Sequence, residues 1–344
     1  MKNLIKKHAL LVAVAAFFTL SNLSLYAKPV VYPDWYSDEG LEELYPSATY
    51  IRERGDGPTK EAAENNAVSY ISRYFETHVD YSSLSEMSAF QSEDDSQVFE
   101  KTQVSTLVSS NMNLFGVKYT EPFYLKKSKT YYVVAYIDKK EAWQKYETEV
   151  TNEKDIFLAY YQNAIAQDDP INKIKLLEDA RTAGKDFREK LAFANLLSEK
   201  LTKKTFGQDE QLLSSIPSLI KKEQIANPIY IEVNDDNSGV IAAAIRKAFS
   251  NLEFVVTGNS SNAACIAKVE VNYNQASGTS KIVYNPYMTL SLNGKAGSIY
   301  AFSTESEKVV APNEAAAKKI AASDLAESIN QKLESDIKTT LALN

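Results

Sequence analysis

Residues 48–79 read ATYIRERGDGPTKEAAENNAVSYISRYFETHV, and this stretch decides the fold of the first half of the chain. Its opening, 48–53, predicts a short strand, and the glycines and proline of 55–58 predict a turn. Thr59 is placed to cap a following helix. From Lys60 to about Val79, apolar or ring-bearing side chains recur at helical spacing on one face. The residues of that face are Ala63, Ala67, Tyr70, Ile71, Tyr74 and His78.

The sequence after this helix predicts the remainder of a first domain, residues 47–150. Residues 82–96 are polar and acidic and predict a loop, while valines and threonines at 97–109 predict a strand. A second strand is expected at 113–124, and TYYVVAYI at 130–137 is the clearest strand signal in the chain. Asp138 is placed to cap the next helix. The order β-α-β-β-β-α predicts an α+β domain, with a sheet packed against helices.

The rest of the chain predicts a helical segment and a second domain. Residues 151–226 repeat apolar side chains at three or four positions, with expected breaks at 168–170 and 182–184, which indicates short paired helices. From residue 227 to 344 the pattern gives β-α-β-β-β-β-α, a second α+β unit that ends in a long helix. The predicted fold class is therefore α+β, with two small domains joined by helices.

The N-terminus has the layout of a secretory signal peptide, predicted over residues 1–27 and followed by a loop-like lead-in at 28–46. Without Lys2, Lys6 and Lys7 the chain has 35 basic and 45 acidic side chains, a net charge of −10. This acidic balance argues against binding to nucleic acid. No cysteine lies near the expected cleavage site, so a lipid anchor on a cysteine is not expected, and we predict a periplasmic protein.

Residues with catalytic or metal-binding potential are few. We expect His78 to lie in or beside the core and Cys265, within an apolar strand, to be a buried thiol. Gly55-Asp56-Gly57 is too short for a phosphate-binding loop, and residues 235–237 resemble a β-turn more than a calcium loop. Paired carboxylates at 94–95 or 168–169 leave a hydrolase open as the weakest alternative. The prediction is a protein that is not an enzyme, with no catalytic residue, metal or cofactor.

Aromatic side chains are the predicted contacts with partners, because tyrosine is abundant (21 residues) and favours strands and interfaces. Trp35 can be interpreted in two ways, as an exposed contact or as a ring that folds back into a core. The predicted contact residues are Trp35, Tyr36, Tyr131, Tyr132, Tyr284 and Tyr287.

The first domain resembles the LPP-twenty family of outer-membrane lipoproteins over roughly residues 33–146. The similarity lies in a strand, a glycine turn and a helix with the pattern E-A-x-x-N-A-x-x-x-I. The matching residues are Gly55, Gly57, Glu61, Ala62, Asn66, Ala67 and Ile71. The resemblance implies an envelope protein without catalysis, related to flagellar proteins of the FlgP and FlgT type that build rings around the rod. The second domain is similar in element order to the N-terminal domain of TolB.

Two functional hypotheses follow, beside the hydrolase. The first is a periplasmic or outer-membrane-associated assembly protein that binds envelope proteins, with a flagellar accessory and a homo-oligomer as specific versions. The second is a module that binds cell-wall glycan or lipid through tyrosine-rich strands.

Overall fold

The computed structural model describes residues 30–78, 114–236, 238–275, 282–294, 297–341 and 343. The predicted signal peptide, the loop at 82–96 and the strand at 97–109 lie outside these residues. Within them, two mixed or antiparallel sheets, each with its own helices, flank a helical bundle. The predicted α+β class is confirmed.

The N-terminal sheet is built around β4 (Thr130–Asp138), which pairs antiparallel with β1 (Tyr50–Gly57) along its whole length. On its other side β4 pairs with β2 (Lys118–Tyr119) and then β3 (Phe123–Leu125), which are two parts of the predicted second strand separated near Pro122. Proline lacks the N–H that a continuous ladder needs, which accounts for the interruption.

Helix α2 (Lys60–His78) packs on one face of this sheet with Ala63, Ala67, Ile71 and Phe75 buried. Thr59 caps the helix as predicted, its Oγ1 accepting a hydrogen bond from the Ala62 N–H at 3.1 Å. Strand β1 continues through Gly57 instead of turning at Gly55, because both glycines lie beneath the helix. A Cβ on Gly55 would lie 2.1 Å from the Ala63 carbonyl oxygen, so only glycine permits this close approach.

The segment at 30–46 is folded, and the prediction of a loop-like lead-in is wrong. It forms a 3-10 turn (Asp34–Tyr36) and helix α1 (Asp38–Leu44), and its rings pack on the face of the N-terminal sheet opposite α2. Ser37 Oγ accepts a hydrogen bond from the Gly40 N–H at 3.0 Å, which caps α1. The sequence of this helix, DEGLEEL, is too short and has too few apolar residues to show a helical period, and its stability comes from packing on the sheet.

The helical middle is a three-helix bundle. Helix α3 (Lys139–Ile165) begins at the Asp138 cap, whose Oδ1 accepts the Lys140 and Glu141 N–H groups as predicted. Helix α4 (Pro170–Ala226) contains a residue with extended backbone, Ser198 (φ −162°, ψ 94°). There the chain reverses, and the halves 170–197 and 199–226 run side by side. Lys173 and Glu223 at their far ends form an ion pair of 2.8 Å.

The predicted break at 182–184 is therefore wrong, since the helix runs through it and the chain reverses at Ser198. Gly184 serves packing instead, because a Cβ there would lie 2.3 Å from Leu213 Cδ1 in the opposite half of α4. Ser198 suits a reversal, since its hydroxyl faces the Leu201 N–H (3.4 Å) at the start of the second half.

The C-terminal sheet has six strands: β5 (Ile229–Asn234), β6 (Val256–Thr257), β7 (Cys265–Gln275), β8 (Ile282–Gly294), β9 (Gly297–Glu305) and β10 (Val309–Ala311). Its order is β6-β5-β7-β8, and β8 then pairs with both β9 and β10 on its far side. Strands β6, β5 and β7 are parallel and the rest antiparallel. Helices α5 (Val240–Asn251) and α6 (Glu314–Leu341) lie together on one face. Except for the short β10, these elements follow the predicted order.

One continuous apolar core joins the bundle to both sheets. At the N-terminal end, Phe193 of α4 packs beside the stacked rings of Phe75 and Phe115, with centroids 6.1 and 6.5 Å away. At the other end Asp169, which caps α4, lies against Gly294, where a Cβ would be 2.2 Å from the carboxylate. The sheets are thus attached to opposite ends of the bundle.

Candidate interaction surface

The C-terminal sheet is covered by helices on one face only. Side chains alternate along its strands, so the positions that face α5 and α6 are mostly buried, and the opposite positions, apart from the buried Val283, are half-buried or exposed. We call this second face the open face. Ile266 and Val283 also lie on this side of the sheet. The fifteen residues that define the open face are Tyr230, Glu232, Asn234, Lys268, Glu270, Asn272, Asn274, Asn285, Tyr287, Thr289, Ser291, Asn293, Ala301, Ser303 and Glu305.

The chemistry of the open face is mostly polar and uncharged. Only four of its fifteen residues are charged and five are asparagines. Asparagine and hydroxyl side chains both donate and accept hydrogen bonds without the desolvation cost of a charge. Near the end close to the bundle, the face has a depression of 510 Å³ lined by Ile266, Lys268, Ser291 and Asn293. The face is therefore suited to polar partners rather than to an apolar ligand.

The two aromatic residues predicted as contacts on β8 have different positions. Tyr287 lies on the open face and is 38% exposed. Tyr284 points to the other side and is buried, in a small cluster with Val309, Ala317 and Ala321. A tyrosine at this buried position cannot present its ring to a partner in this conformation, because β10 and α6 cover it. The period of two along β8 places 284 and 287 on opposite faces, which is the signal that separates them.

The aromatic residues predicted in the first domain are largely used within the chain. Trp35 is buried, so of its two interpretations the ring that folds back is the one that matches the structure. Tyr36 packs edge-on against Tyr132, with centroids 5.3 Å apart. Tyr131 lies on the α2 side of the sheet, with its ring 4.6 Å from that of Tyr124. Binding through the half-buried rings of these residues stays a prediction.

Arg54 holds the 30–46 segment to the sheet. Its Nε donates to the Trp35 carbonyl oxygen at 3.2 Å, and its Nη1 donates to Asp38 Oδ1 at 2.6 Å. The Ser37 carbonyl oxygen accepts a third hydrogen bond from Nη2. One guanidinium thus fixes three consecutive parts of the segment, a geometry that lysine could not reproduce.

We expect Arg54→Lys to loosen this segment without unfolding the domain. The Trp35 indole would then become exposed to water, and its fluorescence emission would shift to longer wavelength and become accessible to a soluble quencher. The measurement needs a Trp143→Phe background, because Trp143 is the other tryptophan and is also buried. Lys127→Arg, in an exposed turn, is the control. Unchanged quenching in Arg54→Lys would contradict the role assigned to the guanidinium.

Three of the residues considered for catalysis or metal binding, His78, Asp169 and Asp236, make contacts within the chain. His78 is exposed at the end of α2, beside the core and not within it. Its Nδ1 lies 2.8 Å from the Tyr74 carbonyl oxygen and its ring stacks on Tyr74. Asp169 Oδ1 caps α4, and Asp236 Oδ2 accepts the Ala242 N–H. Asp94 and Asp95 lie outside the described residues. Among those described, no group of three or more His, Cys, Asp or Glu is arranged to hold a metal ion.

Cys265 is buried in β7, as predicted. Burial, together with the negative charge of Asp169, raises the pKa of its thiol to about 11. Since the thiolate is the reactive form, we expect the folded protein to resist thiol reagents at pH 8. The measurement is the extent of labelling before and after addition of denaturant. Fast labelling of the native protein would contradict this position of Cys265.

No protein-family model matches the chain, and no curated protein matches it. Solved structures with partial similarity include a secreted protein from Helicobacter pylori, with 12% identity and a TM-score of 0.32 over 86% of this chain and 99% of that one. A minor lipoprotein from Acinetobacter baumannii has 10% identity and a TM-score of 0.24, over 32% of this chain and 94% of the other. A lipoprotein from Neisseria meningitidis has 12% identity and a TM-score of 0.19, over 31% and 96%. TM-scores this low do not establish a common fold.

Within the described residues, no helix combines the length and apolar character needed to span a bilayer.

Proposed function

We propose that this chain is a non-enzymatic interaction protein of the bacterial envelope, and that it binds a protein partner through the open face. The observation that carries the proposal is the one-sided cover of the C-terminal sheet. Fifteen side chains from four strands form a continuous surface, and the exposed ring of Tyr287 lies on it. Tyrosine is enriched at the centres of interfaces because its ring gives large contact area and its hydroxyl makes hydrogen bonds.

The location in the envelope is part of the proposal and comes from the sequence. Residues 1–27 have the layout of a signal peptide, and the first domain resembles the LPP-twenty family. That resemblance also suggests the more specific role of a flagellar accessory. Deletion of the gene followed by a motility assay and imaging of the basal body tests the flagellar version. Normal motility with an intact motor would contradict it.

A photoreactive amino acid at position 287 tests binding through the open face. In cells, we expect it to form a discrete adduct with an envelope protein, whereas the same group at Tyr160, exposed on α3, gives no such adduct. A second substitution on the same face, Asn272→Arg, should remove the adduct because it introduces an unpaired charge into the contact. Equal adducts at 287 and 160 would contradict the proposal.

Cell-wall glycan is a second candidate partner, favoured by the uncharged composition of the open face. Asparagine and hydroxyl groups on the open face, with rings at Tyr230 and Tyr287, offer hydrogen bonds and an apolar surface to sugar rings. Sedimentation with purified sacculi separates the two candidates. A glycan-binding protein would pellet with sacculi, and Tyr287→Ala would stay in the supernatant while Tyr160→Ala would still pellet.

A further inference from the structure

The outer edge of the C-terminal sheet is formed by β9, a nine-residue strand, with the three-residue β10 next to it along β8. It pairs with β8 on one side, and among the described residues it makes no backbone hydrogen bond to any other element. Its other side therefore carries a row of N–H and C=O groups that can pair with a further strand. Edges of this length are usually protected in natural proteins by charges, prolines or bulges, since otherwise they pair with another chain.

The edge strands of this molecule differ sharply in such protection. Strand β1, at the edge of the N-terminal sheet, has four charged residues among eight. Strand β6, at the far edge of the C-terminal sheet, has two residues, which is too short to support pairing. Strand β9 contains no proline and a single charged residue, Glu305. A bulge occurs opposite Leu292 and Asn293, and the register from Tyr300 to Glu305 is regular. Most of β9 is thus an unprotected edge.

We infer that β9 pairs antiparallel with β9 of a second copy of this chain, around a twofold axis near Phe302. In this register Tyr300 lies opposite Thr304 of the partner, Ala301 opposite Ser303, and Phe302 opposite Phe302. All these positions fall within the regular part of the strand, and none of them is charged, so like charges do not meet. Phe302 is only partly buried in the single chain, and an aromatic pair across the axis would cover it.

Two copies of the chain can be joined through β9 in this register without a conflict between their helices and open faces. Residues that face each other across an antiparallel pair lie on the same side of the sheet, so both sets of helices lie on one side of the dimer and both open faces on the other. Two six-stranded sheets would become one continuous sheet. A self-complementary contact of this kind closes on itself as a dimer and leaves no further copy of β9 free.

Introducing charges of one sign or the other at Ala301 and Ser303 tests the inference. Both residues are exposed on the open face, so substitution there does not disturb the core. We expect the full chain without its signal peptide to have twice the mass of one chain in light scattering. Ala301→Lys with Ser303→Lys would place lysines opposite lysines in two cross-strand pairs and raise the dissociation constant about tenfold or more. Ala301→Glu with Ser303→Glu would do the same with glutamates.

A mixture of the lysine and glutamate double variants distinguishes a lost interface from a misfolded protein. Because each lysine would then face a glutamate, the mixture should regain the dimeric mass that neither variant has alone. Lys268→Glu, on the same face but away from the edge, is the control and should remain dimeric. A monomeric wild-type chain would overturn the inference, and so would a wild-type dimer that both double variants leave intact.

Disulfide formation gives an independent measurement of the register. Opposed residues in an antiparallel pair have Cα atoms about 4.5 to 5.5 Å apart, which suits a disulfide. Ala301→Cys mixed with Ser303→Cys should therefore cross-link on mild oxidation far more than either variant alone. The buried Cys265 does not interfere. Cross-linking no greater than for a Lys268→Cys variant would overturn the pairing.

Discussion

Phe193→Ala is expected to lower the free energy of unfolding by about 3–5 kcal/mol, the range observed for removal of a buried aromatic ring. Phe193 is almost fully buried, and its ring packs beside Phe75 of α2 and Phe115, so the substitution leaves a cavity where the bundle meets the N-terminal sheet. The stacked pair of Phe75 and Phe115 would lose part of its support. The bundle and the N-terminal sheet should then both unfold at lower denaturant concentration.

Chemical denaturation followed by circular dichroism and by tryptophan fluorescence measures this effect. Trp143 reports on the bundle and Trp35 on the N-terminal sheet, so variants with each tryptophan alone show whether the two parts unfold together. Tyr160→Ala, which removes an exposed ring from α3, should change stability by no more than about 0.5 kcal/mol. A loss below about 1 kcal/mol in Phe193→Ala would mean that the junction is not tightly packed.

Gly55→Ala is expected to destabilise the first domain by about 3 kcal/mol, the upper end of the range for overpacking. The added methyl would lie 2.1 Å from the Ala63 carbonyl oxygen and 2.4 Å from the Ala67 backbone nitrogen. Because these are backbone atoms within α2, a side-chain rotation cannot relieve the contact. The whole helix must move away from β1, and the burial of Ile71 and Phe75 is reduced with it.

Gly258→Ala is the matched control, because no heavy atom lies within 4 Å of the position its methyl would occupy. It should leave the melting temperature nearly unchanged, within the effect of about 0.5 kcal/mol typical of surface substitutions. The comparison isolates close packing from the general change in chain entropy when alanine replaces glycine. Similar melting temperatures for the two variants would contradict the proximity of α2 to β1.

The sequence predicted those elements whose signals are local. Strand β4 follows from a run of aromatic and β-branched residues, and α3 begins at the carboxylate cap of Asp138. The sequence predicts the amphipathic helix α2 and its cap. The face of the helix that is buried, however, is rotated relative to the predicted face. Tyr70 is exposed and Phe75 buried, because the close contact at the glycines fixes which side of the helix meets the sheet.

Features that depend on distant contacts could not be predicted in the same way. The reversal at Ser198 occurs within residues 185–206, which contain no glycine or proline, and it is stabilised by packing between halves of α4 that are far apart in sequence. Helix α1 forms because its segment covers the N-terminal sheet and is held by Arg54. In both places tertiary packing decides the structure, and local propensity does not.

The open face was predicted only in part. Tyr287 was selected because of its residue type, yet Tyr284 was selected for the same reason and is buried. The alternation of β8 separates the two residues, but which side faces the helices depends on where α5 and α6 pack. The predicted element order includes a strand corresponding to β9 but not its position at the edge, because strand order is set by pairing between distant segments.

Within the bundle the chain crosses the space between the two sheets three times, which is an odd number of crossings. The chain therefore enters it beside the N-terminal sheet and leaves it beside the C-terminal sheet, whereas two or four crossings would return both sheets to the same end. The 27 residues of α3 set the separation at about 40 Å, from a rise of 1.5 Å per residue. A ligand that engages surfaces on both sheets would have to span this length to gain from bivalent attachment. Deleting one helical turn from one helix alone could not shorten that span, because the other two crossings would still hold it.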